Sequence, residues 1–339
     1  MPSRVAINGF GRIGRLVFRK AIKDDQLDVI AINASYPPET LVHLVKYDSV
    51  HGRFNGEVRA LPNAIEVDGK IVQIVSSRNP SELPWKEMEI DIVIEATGKF
   101  KTRDRAGLHL QAGAKKVIIT APGKEVDTTI VMGVNEKLYD SDHHHIISNA
   151  SCTTNCLAPV VKVLEREFGI NNGLMTTVHA FTNDQQNIDN PHKDLRRARG
   201  CTQSIIPTTT GAAKAIGEVL PQLQGKLHGV ALRVPTPDVS LVDLVVDVKQ
   251  KDVTKQEVND AFKNAMKTDL KGLLHYSEEP LVSIDYTTSE YSAIIDGLST
   301  MVIDGNKVKI LAWYDNEWGY SCRVVDLAKY VGSESKVFA

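Results

Sequence analysis

Short apolar runs separated by turn residues dominate the first part of the chain. "RVAIN" (4–8), "VIAIN" (29–33), "DIVIEATG" (91–98) and "KKVIIT" (115–120) read as buried strands, because aliphatic and β-branched residues run together and end on turn formers. Between the first two, "RIGRLVFRKAI" (12–22) puts Ile13, Leu16, Val17 and Ala21 on one side of a helix. Strands alternating with helices predict a parallel sheet covered on both faces. "FNGEVRALPNAIEVDGKIVQIV" (54–75) departs from this and predicts antiparallel excursions at a sheet edge. The pattern changes near residue 150. "SCTTNCLAPVVKVLEREFG" (151–169) predicts a long helix, kinked by Pro159. Strand runs follow at 174–180, 229–235, 240–248, 281–285 and 307–314, with helices at 211–219 and 254–267. This predicts a second, mostly antiparallel α+β domain. "GYSCRVVDLAKYV" (319–331) carries apolar residues at 324, 325, 328 and 331 and reads as a helix able to dock on either domain.

Composition narrows the classes. The chain has 339 residues, room for two domains, and a net charge of −2, which supplies no field for nucleic acid or an acidic membrane. "KDLRRAR" (193–199) is a local basic run without interleaved aromatics, so a nucleic-acid role is not expected. Four cysteines without a C-x-x-C pair make neither a disulfide framework nor a zinc site, and no metal is expected. "DSDHHH" (140–145) reads as a solvated loop before a strand. The opening "MPSRVAING" lacks a charged n-region and apolar h-region, and the apolar runs are too short to span a bilayer. A reducing, cytoplasmic setting is expected.

"INGFGRIG" holds Gly9, Gly11 and Gly14 in G-x-G-x-x-G spacing, after a strand and opening a helix. That context makes it a dinucleotide loop: tight turn, close backbone approach to pyrophosphate, close helix–strand packing, and a helix N-terminus facing the phosphates. The fold class is therefore α/β, a Rossmann-type parallel-sheet domain plus the α+β domain. "NASCTTNC" (149–156) starts a helix at Cys152, where the helix terminus and a nearby imidazolium favour thiolate, with Ser151 and Thr153 beside it. Cys156 reads as an inert buried cysteine. His179, ending "LMTTVHA", is the best candidate base.

"INGFGRIGR", "SNASCTTNC", "HAFTNDQ", "HKDLRRAR", "SIIPTTTGAAKA", "LRVPTP" and "WYDNEWGYS", in this order, resemble phosphorylating glyceraldehyde-3-phosphate dehydrogenases from residue 3 to about 332. The resemblance implies reversible oxidation of glyceraldehyde 3-phosphate to 1,3-bisphosphoglycerate. Cys152 would attack the aldehyde and His179 would take the hydroxyl proton, giving a thioester that inorganic phosphate cleaves. It further implies one anion site with Thr182 and Arg233, and another with Ser151, Thr153, Arg197, Thr210 and Gly211. Arg12, Ile13 and Thr120 would join the glycines on the dinucleotide, and Asn316 would hold the nicotinamide carboxamide. Asp184 would order the loop. A homotetramer is implied, with a dinucleotide-binding domain at 1–151, a catalytic domain at 152–318, and the helix 319–339 packing back on the first. Erythrose-4-phosphate dehydrogenase is the nearest alternative, but "HAFTND" and "TTTGAA", from which that relative departs, are intact here. A non-catalytic RNA-binding role is a further reading that nothing in the residues favours; thiol redox sensing through Cys152 is chemically allowed but expected as a liability of the catalytic thiolate rather than a purpose.

One stretch separates branches of this family. "AINAS" carries Ala34 where NAD-dependent members typically have aspartate. That acid accepts from the adenosine ribose and repels a 2′-phosphate. Two unit charges at ~4 Å and an effective dielectric near 20 interact by about 4 kcal/mol. Loss of the acid costs NAD about 1.5–3 kcal/mol. Recognition also needs a positive element: Ser35 can donate, Arg78 matches a family position near the adenine and can add charge, and Asn190 stands where NAD-type members commonly have leucine, in a loop that in the family belongs to a neighbouring subunit, so the resemblance implies a donor across an interface. Together these resemble the NADP-preferring, gluconeogenic bacterial branch, with NADP preferred and NAD weaker.

Overall fold

The computed structural model describes residues 1–334; residues 335–339, the end of the expected terminal helix, lie outside the described residues. The chain divides into two compact units. One comprises Met1–Ile130, Glu136–Ser151 and the described residues from Ser321 onward; the other comprises Val131–Asn135 and Cys152–Tyr320.

Among the described residues of the first unit, nine strands form one sheet. Its order is Thr128–Thr129, Ile146–Ser148, Lys116–Ile119, Ile92–Glu95, Ser3–Asn8, Leu27–Asn33, Lys70–Val75, Ala64–Val67, Val58–Leu61. Pairing is parallel as far as Lys70–Val75. The last two strands are antiparallel, the edge excursion that 54–75 predicted. Ala6, Ile7, Val93 and Ile94 are all fully buried, which is why these runs show no polar alternation. The helix Arg12–Ala21 buries Leu16, Val17, Phe18 and Ala21, while Ile13, in its first turn, is only half-buried. The chain leaves the central strand Ser3–Asn8 to one side for Leu27–Asn33 and returns on the other for Ile92–Glu95. Ligands bind at the carboxyl ends of strands at such a reversal. Those ends are cross-linked. Asn33 Nδ2 donates to Asn8 Oδ1 at 2.6 Å and to the Ser77 carbonyl at 2.8 Å. Asn8 in turn donates to the buried carboxylate of Glu95, which His109 also meets at 3.1 Å. The helix Trp318–Glu334 enters this unit at Ser321. There it buries Val324, Val325, Ala328 and Val331, and Lys329 reaches Asp24 at 3.1 Å.

In the second unit eight strands, among the described residues, form a sheet. Its order is Ile206–Thr209, Leu227–Val234, Ile170–Ala180, Ser240–Val248, Lys307–Tyr314, Ala293–Asp296, Leu274–Ser277, with Met301–Ile303 on Lys307–Tyr314. Most pairings are antiparallel; Ile170–Ala180 with Leu227–Val234, and Leu274–Ser277 with Ala293–Asp296, are parallel. The helix Cys152–Phe168 runs through Pro159 and packs on one sheet face. The opposite face leaves Leu174 and Val230 exposed at 69% and 52%. The strand expected at 281–285 is absent. Ser283–Tyr286 instead form a 3₁₀ turn, closed by the Val282 N–H donating to Asp285 Oδ2 at 2.8 Å. A five-residue apolar run cannot by itself distinguish a paired strand from a surface turn, and here no neighbouring strand pairs with it.

Candidate active site

The register of the second sheet builds the site. His179 and Arg233 are direct partners across the parallel pair Ile170–Ala180 and Leu227–Val234. On the other side Ser240 pairs with Tyr314. Side chains alternate faces along a strand, so Thr177 and His179 both point to the buried face that carries the helix Cys152–Phe168. Ala150 adopts φ +54° and turns the chain into that helix, placing Cys152 in its first turn.

Cys152 Sγ lies 3.5 Å from His179 Nε2. Nδ1 of the same ring sits 2.6 Å from Arg233 Nη1 and 2.6 Å from the Ala180 carbonyl. Arginine only donates and a carbonyl only accepts. Engaging Arg233 therefore puts the neutral ring's proton on Nε2, whereas engaging Ala180 leaves Nε2 with a lone pair facing the sulfur. Burial first, and then the Arg233 cation, lower the His179 pKa to about 3, so the ring is neutral at ordinary pH. The lowered thiol pKa read from the helix start is not what the free chain has. The residue keeps some surface, yet the protein packed around the sulfur pushes the thiol up, with Arg233 and Thr153 opposing. Both directions favour thiol and neutral imidazole, so in the free chain no imidazolium adds to what the helix start does for the thiolate.

Thr153 Oγ1 meets the buried Tyr314 hydroxyl at 2.9 Å, and Thr177 Oγ1 meets the same hydroxyl at 2.9 Å. The Arg233 Nε is buried without a protein acceptor, a donor suited to an anion. Arg197 is held by Asp184, by Thr208 Oγ1 at 2.9 Å and by the Thr209 carbonyl at 3.2 Å, which sets it beside Thr210 and Gly211. Asp184 thus orders the loop. Gly211 occupies the N-cap of the helix Ala212–Val219, and Thr210 Oγ1 accepts the Ala212 N–H at 3.2 Å. Thr182 is half-buried, and its N–H donates to Gln185 at 3.4 Å. Asn190 is exposed in its loop and meets none of the other candidates. Asn316 is buried, its Oδ1 accepting from Ser240 Oγ at 2.6 Å. Tyr314 and Ser240 were missed in the sequence; only the strand register, once known, points to them.

In the first unit the glycine loop fits a dinucleotide. Gly9 has φ +94°, and a Cβ there would lie 2.7 Å from Thr97. A Cβ on Gly14 would lie 2.0 Å from the Gly9 carbonyl, while a Cβ on Gly11 would meet nothing within 4 Å. The loop is therefore closed toward the protein and open on the side a ligand would take, above a helix terminus with no side-chain cap. Arg12 is clamped by Asp48, whose carboxyl is held well below the usual range despite its burial by Arg12 and the N–H groups of His51 and Val50. Ala34 closes the strand Leu27–Asn33 by donating its N–H to the Val75 carbonyl at 3.0 Å; Ser35 and Arg78 are exposed beyond it. Thr120 Oγ1 donates to the Glu95 carbonyl at 3.1 Å. Ser151 ends the second of this unit's segments, immediately before Cys152.

Residues 3–103 match the model of the glyceraldehyde 3-phosphate dehydrogenase NAD binding domain, and residues 151–316 match that of the C-terminal domain. The chain is 68% identical over 336 residues to glyceraldehyde-3-phosphate dehydrogenase 2 of Bacillus subtilis (strain 168), covering 99% of this chain and 98% of that one. It is 60% identical over 334 residues to the protein of the same name in Staphylococcus aureus (strain MRSA252), covering 98% and 97%. The Rossmann-type sheet, the second mostly antiparallel sheet and these matches agree: the chain is a dehydrogenase of the glyceraldehyde 3-phosphate dehydrogenase family.

Proposed function

We propose that the chain oxidises glyceraldehyde 3-phosphate with inorganic phosphate, preferring NADP to NAD. The observation that carries this is the Cys152–His179 contact at 3.5 Å, with the Ala180 carbonyl 2.6 Å from Nδ1 on the far side of the imidazole, able to hold the tautomer whose Nε2 accepts. Cys152 attacks the aldehyde carbon and forms a thiohemiacetal, and His179 Nε2 takes its hydroxyl proton as the carbon is oxidised to a thioester. A bound nicotinamide dinucleotide supplies the hydride acceptor. Thr182 and Arg233 hold the substrate's phosphate. Ser151, Thr153, Arg197, Thr210 and Gly211 hold the phosphate that attacks the thioester, releasing acyl phosphate and the Cys152 thiolate. Gly9, Gly11, Arg12, Ile13, Gly14 and Thr120 take the dinucleotide's phosphates and neighbouring groups, and Asn316 takes the carboxamide.

The NADP preference is supported by the absence of a carboxylate at Ala34 and by the exposed hydroxyl of Ser35 and guanidinium of Arg78. Asn190 adds a donor from a neighbouring subunit. Residues 1–151 with the described part of the terminal segment, 319–334, are read as the dinucleotide-binding domain, and 152–318 as the catalytic domain. The open apolar face around Leu174 and Val230 supports self-association, here read as a homotetramer. Among the described residues no helix is long and apolar enough to cross a membrane, and a cytoplasmic setting is the reading adopted. The test is steady-state oxidation of glyceraldehyde 3-phosphate at saturating phosphate with each cofactor. A higher kcat/KM with NADP supports the reading, and a higher value with NAD removes the selectivity assigned to Ala34.

A further inference from the structure

We infer that Ser240 is a positioning residue for the nicotinamide end of the cofactor, acting through Asn316. The inference deepens the reading above and rests on it, because that reading assigns Asn316 to the carboxamide. Ser240 is 1% exposed and Asn316 4% exposed. The Ser240 hydroxyl accepts the Ala180 N–H at 3.0 Å and lies 2.6 Å from Asn316 Oδ1. Having accepted one bond, the hydroxyl has its proton to give, and in this buried place Asn316 Oδ1 is the acceptor it reaches. Turning the amide over would set Nδ2 against the hydroxyl and leave the serine proton without a partner, which burial penalises. Ser240 therefore fixes which way the amide faces.

The consequence is a committed donor. Among the described residues, Asn316 Nδ2 donates to no protein group, although the residue is buried. Nδ2 is not among the fully buried atoms that lack a partner, so this donor reaches the surface of an otherwise buried residue and is open to a group from outside the chain, for which a carboxamide oxygen is a matched acceptor. The backbone that carries it is also fixed. Asp315 accepts the N–H groups of Glu317, Trp318 and Thr288 at 2.9, 2.7 and 2.7 Å. On the other side Ser240 follows Val239, a buried β-branched residue at φ +63°. Such a conformation persists only where its surroundings impose it, and it recurs at functional sites. Because the same hydroxyl holds the N–H of Ala180, next to His179, one side chain ties the amide to the strand that carries the base.

The test is equilibrium binding to the full chain, with NADP against 2′-phospho-ADP-ribose and NAD against ADP-ribose. Within each pair the ratio of Kd values reports the nicotinamide end alone, whichever dinucleotide is preferred. Ser240→Ala is expected to reduce the advantage of the whole dinucleotide about tenfold, the scale of one hydrogen bond, with the fragment's Kd unchanged. Ser240→Thr, which keeps the hydroxyl, restores it. Asn316→Ala gives the same loss, and the double variant loses no more than Asn316→Ala. Ser240→Ala leaving the ratio unchanged while Asn316→Ala lowers it would overturn the inference, as would equal weakening of both ligands, the mark of a packing residue. If Asn316→Ala also leaves the ratio unchanged, the assignment of Asn316 itself falls.

Discussion

Arg233 Nη1 lies 2.6 Å from His179 Nδ1, on the side of the ring opposite Cys152. The guanidinium lowers the His179 pKa after burial has done so, and it is the largest charge acting to lower the Cys152 thiol. Replacing Arg233 by Gln is therefore expected to raise both. Alkylation of Cys152 by iodoacetamide at pH 8 would slow by about tenfold for each pK unit gained. An unchanged alkylation profile would show that Arg233 does not act on the sulfur.

His179→Asn removes the proton acceptor while leaving the sulfur in place. Turnover is expected to fall by roughly 10²–10⁴-fold, the usual contribution of a positioned base. Stoichiometric labelling of Cys152 should persist. Loss of labelling together with turnover would mean that the variant disturbs the helix start rather than the chemistry.

The buried imidazole also sets an acid limit on stability. His179 has its pKa lowered from 6.5 to about 3 in the folded chain. Below about pH 6.5 the unfolded chain binds a proton that the folded chain does not, so stability falls as pH drops toward 3, by up to about 1.4 kcal/mol per unit. His179→Asn should flatten that limb. Thermal midpoints of both proteins at pH 7 and pH 5 check it, with the wild type losing more.

Ala34→Asp restores a ribose acceptor and places a charge where a 2′-phosphate would sit. The ratio of kcat/KM values should move toward NAD by roughly 10²-fold, since about 1.4 kcal/mol is tenfold and each effect is of hydrogen-bond size or larger. A ratio that stays put would move attention to Arg78 and to the loop of Asn190.

Leu174 is 69% exposed on the open sheet face. Leu174→Glu is expected to yield a smaller assembly by sedimentation with little change in secondary structure. An unchanged mass would remove this face from the contact between subunits.

The dinucleotide loop, the cysteine at a helix start and the histidine at a strand end could be read directly, because each is a local pattern with a local physical cause. The strands Ser240–Val248 and Lys307–Tyr314 matched their predicted ranges for the same reason: polar and apolar residues alternate along them. What could not be read was everything set by register between distant strands. Nothing near Ser240 in sequence says that its hydroxyl meets Asn316, 76 residues away. Tyr314 likewise joins Thr153 and Thr177 only because sheet and helix bring them together. The burial that raises the Cys152 thiol was not legible, because the helix start is visible in sequence whereas the protein packed around the sulfur is not. The 281–285 turn was taken for a strand because its apolar residues imitate one.

The central claim is that a Cys152 thioester is cleaved by phosphate. Its most direct test is the rate of NADPH formation from glyceraldehyde 3-phosphate as inorganic phosphate is varied, with acyl phosphate trapped by hydroxylamine. The account predicts turnover that rises with phosphate to saturation and one acyl phosphate per NADPH, both abolished in Cys152→Ser. Full turnover without phosphate, yielding the free acid, would contradict it and place water as the acceptor.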